Sequence, residues 1–443
     1  MHTRIKKITP KLIITYFVLM VISQTLLTTD AEAIPAFARQ TSQPCTSCHS
    51  QHFPTLNSFG RMFKASAYTM VGSQPQVEGN GMSLPESLNA ALVGNLQYIN
   101  ANEQEIGFPA ALSLYLAGKA GNNAGFLFEV PFDNQKIEAM DDSGNSIKGE
   151  TMGAVARFGS FKANYVDQLG DFFVGTHAYS TEMAGPAYGY ELLSTGAMGM
   201  NVAQTGANAM GAIGMHMEHG ATLMSQFMKA MPDADMPMAG AATGLGASVQ
   251  NNLGFAYFSS YVAEQKVEHF VSPALGNYLR VAWTPSYAGF DFGAGFQSYF
   301  GETTAGSKNV KAKANTLDFQ AQGEILGKAV GLYVTYANTP KSSMGSINHY
   351  NMSTGGDNTA LGVLAEVGVI DKLSLSLGFV NATFWMDMEN SMGMNMSMKQ
   401  EGSSATVGVE YLFLPNVRFA LRYASFGRDL NDSSSTATIY AGI

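Results

Sequence analysis

Five consecutive residues near the start of the chain, Cys45-Thr46-Ser47-Cys48-His49, combine two thiols with an imidazole. They contain both cysteines of a 443-residue sequence. Two cysteines separated by two residues and followed by histidine form the attachment pattern of c-type haem, in which both thiols make thioethers and the imidazole ligates the iron. The pattern predicts one covalent haem c on Cys45 and Cys48, with His49 as the proximal iron ligand.

Cysteines in this pattern have three other uses. A thioredoxin-like redox pair is expected within alternating strands and long helices, which the surrounding sequence does not suggest. A structural zinc site needs four ligands, whereas this segment offers two thiols and a few scattered histidines. A disulfide between Cys45 and Cys48 stays open as the remaining alternative.

The sixth ligand of the iron is not fixed by the sequence. Met62 and Met70 are the candidates within the same segment, and a methionine ligand would raise the reduction potential relative to a histidine. A methionine or histidine from a distant loop is also possible. Alternatively, Met62 simply packs beside Phe59 and Phe63.

The segment around the cysteines is too small to enclose a haem unaided. Residues 34–74 make up the predicted cytochrome segment, and chains of about 40 residues seldom bury a core by themselves. Phe53, Leu56, Phe59 and Phe63 are spaced like one face of a helix that begins near His49, with Gly60 inside it. We expect the rest of the chain to complete the pocket, with the cytochrome segment as a plug.

Residues 1–33 have the composition of a signal peptide. Basic residues come first, the apolar stretch of residues 12–27 follows, and Ala31-Glu32-Ala33 supplies the small residues that signal peptidase requires. Cleavage is predicted before Ile34. An uncleaved signal anchor is the alternative, although this stretch is short for a membrane span of about 20 residues.

Composition excludes several classes of protein. A net charge of −9 argues against nucleic acid as a partner. Charged residues amount to only 13% and glycines number 47, yet no stretch beyond the signal has the apolar length of a spanning helix. A helical membrane protein is therefore not expected.

Residues 75–443 alternate between apolar and polar positions in many short runs. In residues 416–426, Val417, Phe419, Leu421 and Tyr423 fall on one face, while Arg418, Ala420 and Arg422 fall on the other. Leu317 and Phe319 likewise alternate with Asp318, Gln320 and Gln322. An apolar face suits lipid and a polar face suits a wet lumen. We predict an all-β transmembrane antiparallel β-barrel of about 16 strands, including a pair within residues 185–247; a secreted solenoid or sandwich is the alternative.

Two methionine-rich segments, residues 185–247 and 386–398, interrupt this alternation. We expect flexible extracellular loops, because barrels of this kind have long outer loops and short periplasmic turns. A short amphipathic helix is plausible over residues 222–231. Clustered thioethers could instead bind copper(I).

The N-terminal residues also resemble a known family. The stretch Ala36-Phe37-Ala38-Arg39-Gln40-Thr41, the haem pentad, and residues 53–64 (FPTLNSFGRMFK) are similar to the start of the fused monohaem cytochrome c-porins, the outer-membrane iron oxidases of iron-oxidising bacteria. The resemblance covers about residues 34–72 and is architectural beyond them. It implies a haem on Cys45, Cys48 and His49 that takes electrons from Fe(II) and passes them to a periplasmic cytochrome.

The sequence therefore predicts an Fe(II) oxidoreductase in the bacterial outer membrane, surrounded by outer-membrane lipid. Asp387 and Glu389 are candidates for attracting the cation at the outer rim. Two alternatives stay open: a conduit for a different extracellular donor, possibly linked to copper through the methionine-rich loops, and a solute porin with a haem plug.

Overall fold

Sixteen antiparallel strands close into one barrel. The computed structural model describes residues 36–50, 55–80, 82–100, 104–137, 151–182, 184–196, 240–265, 273–306, 308–389, 395–414, 416–428 and 433–442. The predicted signal peptide and the predicted helix at residues 222–231 lie outside these ranges.

The barrel strands follow one another around the wall in chain order. They are β1 Ala90–Asn100, β2 Gln104–Lys119, β3 Ala124–Ile137, β4 Thr151–Ala156 continued by Ser160–Leu169, β5 Phe172–Thr181, β6 Ala242–Asn251, β7 Gly254–Val262, β8 Gly276–Trp283 continued by Ser286–Tyr287, β9 Phe290–Phe300, β10 Ala314–Ile325, β11 Lys328–Thr339, β12 Asn358–Ile370, β13 Leu373–Glu389, β14 Asn395–Leu414, β15 Val417–Arg428 and β16 Ser433–Gly442. β16 pairs with β1, with Ala441 opposite Gly94, and this pairing closes the cylinder.

The two faces of the wall have opposite polarity. Along β10, Asp318, Gln320 and Gln322 are buried in the lumen, whereas Leu317 is 57% exposed on the outside. Arg418 and Arg422 of β15 also point inward, where both pair with Glu410. An apolar outer surface around a polar interior is the arrangement of a bacterial outer-membrane barrel. The alternation-based fold prediction is confirmed, and the chain is an outer-membrane protein.

Among the described residues, no helix is both long and apolar enough to cross a membrane.

The two ends of the barrel differ in the length of their connections. Two-residue turns at 170–171, 252–253, 326–327 and 371–372 lie at the end where β1 begins and β16 ends. The opposite end has longer connections, including residues 301–313 and 340–357. Within the former, Glu302–Ala305 and Lys308–Lys311 form a small hairpin. Because short turns face the periplasm in such barrels, we assign the short-turn end to the periplasm and the long-loop end to the cell exterior.

The N-terminal segment lies inside the barrel at the short-turn end. It contains three helices, α1 Ala36–Thr41, α2 Cys45–Cys48 and α3 Ser58–Ala65. A hairpin of Gln76–Gly79 and Met82–Pro85 then leads to β1. The prediction of a plug is thus confirmed. The predicted helix start near His49 is wrong, because Asn57 caps a helix that begins only at Ser58, and Phe53 lies outside the described residues.

The strand and loop predictions need three further corrections. Residues 386–398 are largely strand rather than loop, since β13 and β14 continue far enough to pair Met386 with Met398. Segment 185–247 contributes one described strand, β6, instead of a pair. Pro285-Ser286 also predicts a tight turn from the sequence, but the turn lies at residues 288–289, because Ser286 and Tyr287 pair with β9.

The beginning of the predicted 185–247 loop folds back into the lumen. Residues 184–196, here called the inward segment, include a short 3₁₀ turn at Pro186–Tyr188 and are buried except for a partly buried Ser194. Glu191 of this segment pairs with Arg280 of β8, and Thr195 donates a hydrogen bond of 2.6 Å to Asp318. Buried tyrosines fill the lumen around and beyond it: Tyr257, Tyr261, Tyr278, Tyr299, Tyr333 and Tyr350. Within the described part of the chain, these side chains pack together as a core in the lumen.

Candidate functional site

The two cysteines occupy a single helical turn. Pro44 precedes α2 in an extended conformation, and its fixed φ suits the start of a helix. Residues three apart on a helix lie on the same side, so Cys45 and Cys48 both face one flank of the turn. Both thiols are free and partly exposed. Burial raises the pKa of each thiol, which keeps it protonated and disfavours the thiolate chemistry of a thioredoxin-like pair.

His49 follows this turn with its ring oriented by the backbone. Its Nδ1 lies 3.2 Å from the carbonyl oxygen of Thr55, which is 1% exposed. The same carbonyl accepts a bond of 2.8 Å from the amide of Ser50. A carbonyl oxygen only accepts, so Nδ1 is the protonated nitrogen and Nε2 carries the lone pair. Nε2 is therefore the nitrogen that is competent to ligate iron.

Asn57 joins the cysteine turn to α3. Its Oδ1 accepts a bond of 2.9 Å from the amide of Gly60, the N-cap interaction that satisfies the start of a helix. Its Nδ2 donates to the carbonyl of Ser47 at 3.0 Å, and its own amide donates to the carbonyl of Cys48 at 2.9 Å. Gly60 lies so close to this turn that an added Cβ would overlap the carbonyl oxygen of Cys48. The turn and α3 thus form one rigid unit.

The two candidate sixth ligands lie on the surface of the segment. Met62 is 54% exposed and Met70 is 37% exposed. Met62 is two positions beyond Gly60, so it leaves α3 on the side away from the cysteine turn. With Phe59, which is 38% exposed, it forms an apolar face that is open in the described residues. A role for either methionine as iron ligand stays a prediction.

Charged and polar side chains fix the segment to the barrel wall. Arg61 donates to Gln322 of β10 at 2.6 Å and lies 3.4 Å from Asp291 of β9. Gln40 accepts a bond of 3.0 Å from the amide of Lys119 in β2. Gly125 of β3 has no room for a Cβ, because the carbonyl of Ala67 lies against it. Contacts with β9 and β10, with β2 and with β3 therefore fix the position of residues 45–49 in the lumen.

An aromatic cluster forms the interior of the segment itself. The rings of Phe37 and Tyr68 stack at 4.7 Å, and Phe63 meets Phe37 edge-on at 5.0 Å.

Deeper in the lumen, burial lowers the pKa of Lys64, while the nearby carboxylate of Glu191 acts in the opposite direction. The carboxylate of Glu191 in the inward segment therefore lies within electrostatic range of Lys64.

These residues fit a covalent haem. The half-exposed thiols share one flank, the imidazole presents Nε2, and the backbone around both is held by Thr55 and Asn57. The sequence predicts Cys45, Cys48 and His49 as the haem-binding residues, which stays a prediction, and it does not point to Thr55, Asn57 and Arg61 as their supports. Of these only Asn57 has a local signal, as a preferred N-cap residue before a helix; the other two act through contacts that folding creates.

Of the two acidic candidates at the outer rim, Asp387 is engaged in hydrogen bonds within the protein. Both oxygens of the Asp387 carboxylate accept hydrogen bonds, from the hydroxyls of Ser353 and Ser397 at 2.6 Å each and from the amide of Thr354 at 3.0 Å. This carboxylate fastens the connection after β11 to the end of β13. The side chain of Glu389 lies outside the described residues.

Fold and site together define a class: an outer-membrane barrel whose lumen holds a helical plug with a Cys-X-X-Cys-His turn. No protein-family model and no curated protein matches the sequence. Solved structures similar in fold include OmpT of Vibrio cholerae, at 10% identity over 83% of this chain and 100% of that one, with a TM-score of 0.42. OccK2 of Pseudomonas aeruginosa, solved in complex with glucuronate, has 10% identity over 83% of this chain and 99% of that one, with a TM-score of 0.42. OccAB3 of Acinetobacter baumannii has 10% identity over 80% of this chain and 98% of that one, with a TM-score of 0.40.

Proposed function

We propose that this protein is an outer-membrane electron conduit, an Fe(II) oxidoreductase that takes one electron from extracellular Fe(II) and delivers it to a periplasmic cytochrome. The observation that carries the proposal is the haem-attachment turn, held inside a closed barrel with His49 oriented for iron ligation. The family resemblance of residues 34–72 supplies the donor and the acceptor.

The reaction needs no general acid or nucleophile. Fe(II) becomes Fe(III) by losing one electron, and the acceptor gains that electron without bond making or breaking. A bound c-type haem would supply the one-electron carrier between them. The protein's tasks are to tether that group through Cys45 and Cys48, to present Nε2 of His49, and to limit access of water.

The depth of the site supports a periplasmic acceptor. Gln322 and Asp291, which hold Arg61, lie close to the short-turn ends of β10 and β9. The apolar face of Phe59 and Met62 is exposed nearby. A soluble partner docking at this mouth would approach the haem segment directly, whereas the cell exterior lies beyond the inward segment.

The packed lumen argues against a solute porin, one of the two alternatives. Helices α1 to α3 occupy the periplasmic end, and the inward segment crosses the middle through its bonds to β8 and β10. A solute channel needs a continuous water-filled path. Helices α1 to α3 and the inward segment would both have to move aside to open one. The copper-linked alternative depends mainly on methionines outside the described residues.

The test is anaerobic addition of Fe(II) to the purified haem-loaded full chain in detergent, followed by absorbance. We expect the oxidised c-type spectrum to convert to the reduced one, and ferricyanide to reverse it. Mg(II) at the same concentration controls for cation effects, and dithionite shows that the haem is reducible. A haem that dithionite reduces but Fe(II) leaves oxidised at every concentration contradicts the proposal.

A further inference from the structure

A second histidine-containing site lies at the opposite end of the lumen from the haem pentad. His349 belongs to the connection between β11 and β12, at the long-loop end, and is 7% exposed. Glu264 follows β7 at the same end and is 9% exposed. The charge of Glu264 acts on the His349 imidazole, so the carboxylate lies within electrostatic range of the ring.

The imidazole of His349 has no hydrogen-bond partner on either nitrogen within the described part of the chain. An unsatisfied buried polar group is costly and rare, so such a side chain requires an explanation. His177, another buried histidine in the described part of the lumen, shows the normal case. Its Nδ1 lies 2.9 Å from Asn164 and its Nε2 lies 2.8 Å from Ser248.

The backbone around His349 and Glu264 is fixed. The amide of His349 donates to the carbonyl of Lys311 at 2.8 Å, and the hydroxyl of Thr243 donates to the carbonyl of Glu264 at 2.8 Å. The neighbouring hydroxyls of Tyr261 and Tyr350 lie 2.7 Å apart and tie the two chain segments together. Two potential ligands are thus held at a defined place.

We propose that His349 and Glu264 bind a divalent transition-metal cation at the outer end of the lumen, and that Fe(II) occupies this site as the electron donor. The choice of Fe(II) rests on the function proposed above. One imidazole and one carboxylate suit a divalent first-row metal, and the cation satisfies a ring nitrogen that has no hydrogen-bond partner among the described residues.

Two protein ligands also suit a substrate better than a resident metal. Structural metal sites close their coordination shell with four protein ligands, whereas sites that act on a metal-bound species keep open positions. A donor must enter as Fe(II) and leave as Fe(III) in every turnover. Open positions for water allow that exchange, and the long-loop end is where an extracellular cation arrives.

Binding is tested with Co(II), which reports on the site without electron transfer. The full haem-loaded chain in detergent, freed of metals, is titrated with Co(II) at pH 7 by calorimetry. We compare the wild type with His349→Phe, which keeps an aromatic ring, and with the isosteric Glu264→Gln. His177→Gln is the matched control, because His177 is equally buried but fully bonded.

We expect the wild type and His177→Gln to bind one more Co(II) per chain than His349→Phe. Glu264→Gln should weaken that site at least about tenfold, the smallest loss that even outer-shell changes cause at metal sites. An unchanged haem spectrum and far-UV signal identify variants that have folded. Equal Co(II) binding by folded wild type, His349→Phe and Glu264→Gln overturns the proposal. Hydrogen bonds to water would then satisfy the ring nitrogens of His349.

Fe(II)-dependent haem reduction separates this inference from the proposed function. The half-saturating Fe(II) concentration should rise at least about tenfold in both variants, while reduction by dithionite stays unchanged. If Fe(II) fails to reduce the wild-type haem, the proposed function falls whether or not Co(II) binds. If Fe(II) reduces the haem of the wild type and of both variants equally well, the proposed donor site is contradicted, whereas the proposed electron conduit is not.

Discussion

Gly60 shows at the level of one residue how closely the cysteine turn and α3 are packed. Replacing glycine by alanine inside a helix normally stabilises it by about 1 kcal/mol. Here the new Cβ would overlap the carbonyl oxygen of Cys48. This atom belongs to the backbone and cannot move away as the end of a flexible side chain could. Overpacking of this kind costs about 1–3 kcal/mol, so we expect Gly60→Ala to lower stability against the trend of helix propensity.

The measurement is the haem content per chain together with thermal unfolding of the purified protein. Gly79→Ala serves as the control, since an added Cβ at Gly79 meets nothing within 4 Å. A Gly60→Ala protein with wild-type haem content and melting temperature would show that the turn and α3 are not in contact.

At the residue scale, the sequence allows a prediction where the chemistry is local. Cys45, Cys48 and His49 stand within five positions, and their order alone indicates their use. The support for His49 depends on Thr55, whose carbonyl reaches the ring only after the chain folds back between them. The role of Arg61 depends on Gln322, 261 positions away. Contacts of that range have no local sequence signal.

At the scale of elements, the inward segment is held by a buried group of charges. Arg280 of β8 lies 2.7 Å from Glu191 of the inward segment and 2.5 Å from Asp318 of β10, and its side chain is 0% exposed. Replacing Arg280 with Met leaves two carboxylates buried without their cation, at a cost of about 3–5 kcal/mol. We expect Arg280→Met to release the inward segment and lower the melting temperature.

Ion conductance in planar bilayers provides the functional measurement. The wild type should conduct poorly and Arg280→Met should conduct better, because the middle layer of the lumen loosens. Arg157→Met is the control, since the pair of Arg157 with Glu182 is partly exposed and such pairs contribute about 0–1 kcal/mol. Equal conductance and stability in all three proteins would mean that this charge group does not hold the segment.

The elements of the wall were predictable and those of the interior were not. Alternation along β10 and β15 indicated both the strand and its lipid face, because a strand exposes each side to one environment. The spacing of Phe53, Leu56, Phe59 and Phe63 suggested a helix longer than α3. Instead the chain folds back on itself, and His49 forms an isolated β-bridge with Leu56 before α3 begins. The glycine-rich, methionine-rich sequence after β5 resembled an outer loop, while its first residues fold inward through partners on distant strands.

The whole molecule has a defined orientation that single cysteines can test. Met344 is 99% exposed at the long-loop end, and Leu326 is 96% exposed in a two-residue turn at the short-turn end. We expect a membrane-impermeant maleimide to label Met344→Cys on intact cells and to label Leu326→Cys only after the outer membrane is opened. Each variant is the control for the other, because both sites are equally accessible on the protein. Labelling of Leu326→Cys alone on intact cells would reverse the assignment of the two ends.

The seam between β16 and β1 leaves no gap in the wall, and half-buried thiols lie within the ring that this seam completes. A maturation enzyme the size of a protein cannot work inside such a ring. Under the proposed function, topology sets the order of biogenesis: haem would be joined to Cys45 and Cys48 while the chain is still an open ribbon in the periplasm, and insertion into the bilayer would then enclose it.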